Sequence, residues 1–192
     1  NTILEVIIAN GFYKDAFKLL KKKKKIRLID ASSFVLSDSL RFHSVNENIL
    51  VQSEDKKIFA KQDFKIVSKK KPTKSQFNDL LFAFNVCRYV KSNAIVLATD
   101  KTTIGIGSGQ PSRLDSCQIA IDKMKKFIEP QTDIVAASDA FFPFVDGIEK
   151  LVQSGVKAII QPAGSVRDKE VIKFANETNT VLLFSKTRHF RH

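Results

Sequence analysis

Arg113 sits where the chain offers its most suggestive spacing. It follows Gly105, Gly107 and Gly109 in alternation, and then Gln110, Pro111 and Ser112. A β-branched run, Thr103 to Ile106, leads into the glycines, so they stand where a strand turns into a helix. Pro111 suits the first helical position, where a missing N–H costs nothing. Arg113 then falls in the first turn, where it could pair with a carboxylate or phosphate. Two readings of the glycines stand side by side. Bare backbone N–H groups at a helix entrance can approach an anion. Equally, a tight corner uses glycines for close packing and positive φ. The spacing is G-x-G-x-G rather than the G-x-G-x-x-G of dinucleotide sites, and no Gly-Lys-Ser/Thr follows as in a P-loop.

Three further places carry candidate groups. Asp139-Ala140-Phe141-Phe142-Pro143-Phe144 follows the apolar run Asp133 to Ser138. Pro162-Ala163-Gly164-Ser165 makes a corner after Lys157 to Gln161, and Arg188 lies in the basic, aromatic tail after Val181 to Ser185. Open α/β sheets bind ligands beyond the carboxyl ends of their strands. A glycine corner, an aromatic-proline wall and two arginines at such ends predict a pocket for a flat, anionic ligand.

These groups need elements to position them. From Ala94 onward the order reads β-β-α-β-α-β-α-β, with Ala94 to Ala98 as a buried strand and a helix from the glycine corner to about Phe127. The pattern predicts a three-layer α/β fold, a mostly parallel sheet flanked by helices. Upstream, Leu4 to Ala9, Phe12 to Lys22 and Ile26 to Ile29 read as β-α-β with a parallel pair. Residues 30–68 read as a β-rich excursion. Gln76 to Lys91 has the broad apolar face of a helix packed on a sheet, with Thr73 or Ser75 as its cap.

With 192 residues, 43% of them hydrophobic, the chain can form one large domain or two small ones without disulfides or metal. No apolar run reaches membrane-spanning length, and no secretory signal opens the sequence, so a cytoplasmic protein with no membrane partner is expected. The absence of an initiator methionine suggests a piece of a longer polypeptide or a processed chain. Cys87 and Cys117, outside any C-x-x-C, read as buried free thiols in a reducing compartment. The net charge is +12. Its lysine runs, Lys21 to Lys25 and Lys69 to Lys71, are not interleaved with aromatics and read as solvated helix ends, so no nucleic-acid partner is expected. His43, among Arg, Phe and Ser, reads as a solvated side chain.

The runs VKSNAIVLA, GIGSGQPSR, SDAFFPFVDGI, IIQPAGSVRD and RHFRH together resemble the AICAR transformylase part of the bifunctional purine-biosynthesis enzymes whose other activity is IMP cyclohydrolase. EVIIA and KKKKKIRLID extend the resemblance more loosely upstream. Ala163 stands where the family usually has a second glycine.

The resemblance implies a cytidine deaminase-like fold that needs no metal. In keeping with that, the H-x-E and P-C-x-x-C zinc signature of deaminases is absent. It implies formyl transfer from 10-formyltetrahydrofolate, the co-substrate, to the 5-amine of AICAR. By the same resemblance Asn93 is the catalytic asparagine, an amide donor near the formyl oxygen. Arg188 meets the nucleotide phosphate, Arg113 serves phosphate or folate, and Phe141 packs on the nucleotide. Pro143, Phe144 and Asp146 take the folate side. The family is homodimeric and uses a Lys-His pair for proton transfer. His43, His189 and His192 follow Phe, Arg and Arg, so this chain lacks that pair. The expectation is the C-terminal half of a transformylase domain, spanning residues 1–192 and inactive alone; the alternative is a non-enzymatic basic nucleotide- or RNA-binding module.

Overall fold

In the computed structural model, which describes residues 4–34, 40–57, 59–126 and 132–192, the chain divides after Glu54. The first unit contains β1 (Val6–Ala9), α1 (Lys14–Lys21) and β2 (Arg27–Asp30), and the two strands pair in parallel as the β-α-β pattern predicts. It also holds β3 (Leu40–Val45) and β4 (Asn48–Ser53), an antiparallel ribbon. Cross-strand register sets Leu40, Phe42, Ile49 and Val51 on one face of that ribbon, each at least 50% exposed. No described residue of this unit is buried. The lysines at the end of α1 are solvated and sit where cations complement the helix dipole. His43 is exposed on β3.

The second unit, Asp55–His192, carries β5 (Phe64–Ile66), α2 (Lys74–Cys87), β6 (Ile95–Thr99), β7 (Thr102–Gly107), α3 (Arg113–Met124), β8 (Val135–Ser138), α4 (Asp146–Gln153), β9 (Ala158–Pro162), α5 (Asp168–Glu177) and β10 (Val181–Ser185). Thus the excursion over residues 30–68 does yield three strands, β3, β4 and β5; residues 35–39 and 58 lie outside the described residues. The order from β6 onward is the expected one. Six strands form one sheet in the order β5-β10-β9-β8-β6-β7.

The α/β class and the three layers are as expected, but the sheet is mixed rather than mostly parallel. Only β8–β9 and β9–β10 are parallel pairs. The edge strand β5 runs against β10, and at the other edge a two-residue turn reverses the chain. Asp100 and Lys101 take φ of 46° and 52°, the backbone of a primed hairpin turn that folds β7 straight back along β6. The buried carboxylate of Asp79 holds this turn, accepting from Asp100 N at 3.1 Å and Lys101 N at 2.8 Å. β7 and β8, linked by the α3 crossover, still run the same way, but β6 lies between them and antiparallel to both.

Alternate residues of each central strand enter the two helical layers, which is why these strands read as continuous apolar runs. Ile95 and Leu97 pack with Cys117, Ile121, Ile148 and Leu151 under α3 and α4. Val96 and Ala98 pack with Leu80, Phe84 and Cys87 of α2. Thr73 caps α2 in a reciprocal box. Gln76 N donates to Thr73 Oγ1 at 3.1 Å, and Thr73 N donates to Gln76 Oε1 at 3.0 Å. At α3 the expected start shifts by two residues. Ser112 is the cap, accepting from Asp115 N at 3.4 Å, and Pro111 precedes it instead of opening the helix. Phe127, expected as the end of α3, lies outside the described residues.

Candidate functional site

Because β6 runs against β8, its beginning lies at the same rim as the carboxyl ends of β7, β8, β9 and β10. Asn93 precedes β6, the glycine corner follows β7, Phe141 follows β8 and Arg188 follows β10. The reversal that makes the sheet mixed therefore gathers these groups. A hollow of about 460 Å³ opens there. All seven residues singled out from the sequence line it: Asn93, Arg113, Phe141, Pro143, Phe144, Asp146 and Arg188. Pro111 and Phe190 line it as well. The Pro162–Asp168 corner does not, although Arg167 from it lies over the Phe144 ring, 4.9 Å from the centroid.

The two arginines differ in electrostatic state. Arg113 is 9% exposed and forms an ion pair with Asp139, which is 0% exposed. Its guanidinium also donates to Ser138 Oγ at 2.9 Å and to Asn93 Oδ1 at 2.7 Å. Arg188 is exposed, stands 5.1 Å from the Phe141 ring centroid, and has no carboxylate partner among the described residues. So the uncompensated guanidinium of the hollow belongs to Arg188. Asp146 opens α4, and its Oδ1 accepts from Gly147 N at 2.7 Å. Phe144 is 52% exposed, a wall rather than core, whereas Phe142 beside it is 1% exposed and belongs to the core.

Asn93 is held on every side. Its Nδ2 donates to Gln110 O at 2.8 Å and Pro111 O at 3.0 Å, while Oδ1 accepts from Arg113. The amide donor expected of it is thus engaged by backbone carbonyls. The glycines resolve toward packing. A Cβ at Gly105 would lie 2.1 Å from Ala120 O, and one at Gly107 would lie 1.9 Å from Ser116 O. Neither glycine lines the hollow; they let α3 lie directly on β7.

Two buried groups of this unit had no signal in the sequence. Asp139 is one; its partners Ser92 and Arg113 come from other elements, 47 and 26 residues away. His189 is the other. Its ring is buried against Phe59 and Phe84, with centroids 5.0 Å and 4.3 Å away, and Nδ1 bonds Asp55. Backbone N of His189 donates to Asp139 O at 2.9 Å. His189 thereby anchors the tail from which its neighbours Arg188 and Phe190 reach the hollow.

Burial lowers the His189 pKa from its ordinary 6.5, outweighing the opposing pull of Asp55; nearby Arg88 lowers it further. Below pH 6.5 the unfolded chain therefore binds more protons than the folded one, and stability falls as pH drops through that window toward the folded value. His189→Asn keeps a donor for Asp55 but cannot titrate. Urea midpoints measured between pH 7 and about 5 should fall in the parent chain and stay nearly level in the variant.

Both thiols are buried and free, as expected. Burial pushes Cys117 up to about 12 and raises Cys87 well above the usual thiol range, which leaves both as unreactive thiols. Among the described residues no group of three or more His, Cys, Asp or Glu could hold a metal ion, and no helix is long and apolar enough to cross a membrane.

A family model described as AICARFT/IMPCHase bienzyme matches residues 1–123. Curated relatives named bifunctional purine biosynthesis protein PurH align along almost the whole chain. Those of Persephonella marina and Fusobacterium nucleatum are 44% and 46% identical, each over 98% of this chain and 37% of the relative. That of Limosilactobacillus reuteri is 46% identical over the same shares. The chain thus spans about a third of the length of these relatives. A solved dCMP deaminase from cyanophage S-TIM5 is similar over 58% of this chain and 98% of its own, at 15% identity and a TM-score of 0.39.

Proposed function

This chain belongs to the AICARFT/IMPCHase bienzyme family, and from that premise we propose that it carries part of the site that moves a formyl group from 10-formyltetrahydrofolate to AICAR in purine biosynthesis. The observation that carries this reading is convergence. Seven residues spread from position 93 to 188, each given a catalytic, nucleotide or folate role by resemblance, line one hollow. In this reading Arg188 meets the phosphate and Phe141 lies against the nucleotide. Phe144 and Pro143 form the folate wall, and Asp146 accepts from the donor edge of the pterin. Asn93 faces the reacting centre.

The chemistry asks for more than this chain supplies. The 5-amine of AICAR is conjugated with the imidazole and carboxamide and is a weak nucleophile. Transfer then needs a proton acceptor, a donor to the developing oxyanion and protonation of the leaving nitrogen. None of the three histidines follows a lysine, and His189 is buried on Asp55 rather than facing the hollow. By the resemblance, the proton-transfer pair would belong to family sequence outside the 37% of the relatives that this chain matches.

The expected result on the 192-residue chain is weak binding of AICAR and of folate without turnover. Formyl-transfer assays check the second half; turnover comparable to an intact bienzyme defeats it. Folate separates the two activities of the family, because ring closure to IMP uses none. Binding of a folate analogue that shifts the NMR signals of Phe144 and Asp146 supports transfer, and nucleotide binding with no folate binding rejects it.

A further inference from the structure

The hydrogen-bond inventory around Asn93 leaves it one role toward a ligand. A carboxamide has two donor hydrogens on nitrogen and two lone pairs on oxygen. Both hydrogens go to backbone carbonyls, of Gln110 at 2.8 Å and Pro111 at 3.0 Å. One lone pair takes the Arg113 Nη2 hydrogen at 2.7 Å. What remains is the second lone pair of Oδ1, an acceptor. The orientation is not free to invert, since a flipped amide would set nitrogen against the guanidinium and oxygen against two carbonyls.

Arg113 in turn is fixed from behind. Asp139 is 0% exposed, pairs with Nη1 of Arg113, and takes the Ser92 hydroxyl on its other oxygen at 2.5 Å. Its backbone carbonyl accepts from His189 N, between the two tail residues that line the hollow. The carboxylate of Asp139 thus ties the approach to β6 to the first turn of α3, and its backbone carbonyl adds the tail after β10.

We propose that Asp139 is a positioning residue: through Arg113 it fixes Asn93 so that Oδ1 accepts a hydrogen bond from the 5-amine of AICAR. The identity of the ligand rests on the proposed formyl-transfer reading; the clamp itself does not. In this arrangement Asn93 orients the amine, and Arg113 acts as a charge-compensated arm, not as a phosphate anchor.

The test uses the isotopically labelled 192-residue chain and its Asp139→Asn, Ser138→Ala and Ser92→Ala variants. In the parent chain the Arg113 guanidinium protons exchange slowly. In Asp139→Asn they exchange at least roughly tenfold faster, and the Asn93 carboxamide signals move, while the amides of β6 stay protected. Ser138→Ala removes the other acceptor of Nη1 and leaves both sets of signals in place; loosening equal to that of Asp139→Asn overturns the proposal. Should Asp139→Asn fail to fold, Ser92→Ala carries the test. It takes a donor from the carboxylate without changing charge and moves the Asn93 signals in a smaller step, and no movement overturns the proposal.

Binding supplies the readout that a purely structural role would not move. The parent chain prefers AICAR roughly tenfold over the analogue with hydrogen in place of the 5-amine, and Asp139→Asn loses that preference while its affinity for the analogue holds. Equal loss for both ligands, or no preference in the parent chain, overturns the acceptor role. If the parent chain binds neither ligand, the formyl-transfer reading falls, and the exchange measurement alone decides whether Asp139 positions Arg113 and Asn93.

Discussion

Arg188→Ala is expected to weaken AICAR binding roughly a hundredfold and to leave the unphosphorylated riboside almost unaffected. The size follows from electrostatic state. A hydrogen bond to a charged group contributes about 1.5–3 kcal/mol, and each 1.4 kcal/mol is tenfold in affinity. Arg113 cannot substitute, because Asp139 compensates its charge within the protein. Arg188 has no such partner among the described residues and is placed by its stack on Phe141, 5.1 Å from the centroid. The stack keeps the planar fork open toward an anion while the ring remains for the base. Arg188→Lys should fall between the two, since it keeps the charge but loses the fork. Calorimetry of both ligands with both variants, at low and moderate salt, measures the difference. Equal weakening of nucleotide and riboside would show that Arg188 shapes the hollow without reading phosphate.

Much of this was legible in the sequence, for reasons that differ by element. The strands β8, β9 and β10 are buried on both faces, so each reads as an unbroken apolar run with a corner after it. The residues after those runs had to meet at one rim, and they do. The direction of β6 was not legible. A β-β pair with two polar residues between them is a hairpin, but only the sheet order shows that β6 is inserted between β7 and β8. Pro111 and Ser112 are adjacent good helix openers, and which of them caps is decided by the side-chain bond to Asp115 N. Asp139 and His189 escaped altogether. A buried charge is recognisable only beside its partner, and here the partners are Ser92, 47 residues away, and Asp55, 134 residues away. Nor does the sequence show that Gln110 and Pro111, from the corner after the neighbouring strand β7, engage both amide hydrogens of Asn93.

Gly107→Ala is expected to destabilise the fold by about 3 kcal/mol or more and to abolish ligand binding with it. A methyl group there would stand 1.9 Å from Ser116 O, 2.6 Å from Ser116 C and 2.8 Å from Ser116 Cα. These are backbone atoms of α3, so no side-chain rotation relieves the overlap; the whole helix must move off β7. Ser116 and Ala120, the helix residues that face Gly107 and Gly105, are both 0% exposed, so the displacement opens the core. It also carries away the first turn of α3, and with it Arg113 and its bonds to Asp139 and Asn93. Gly109→Ala makes the contrast. Its φ of +68° suits glycine, but the nearest atom to an added Cβ is Lys91 Cδ at 3.7 Å. That substitution should cost only about 1–2 kcal/mol, the strain of a left-handed conformation. If the glycines served an anion through their N–H groups, both substitutions would weaken ligand binding while stability held. If they serve packing, thermal midpoints separate the two variants by many degrees, and binding follows stability. Melting curves of the two variants, with and without AICAR, distinguish these outcomes, and equal midpoints would remove the argument that α3 is held on β7 by the missing side chains.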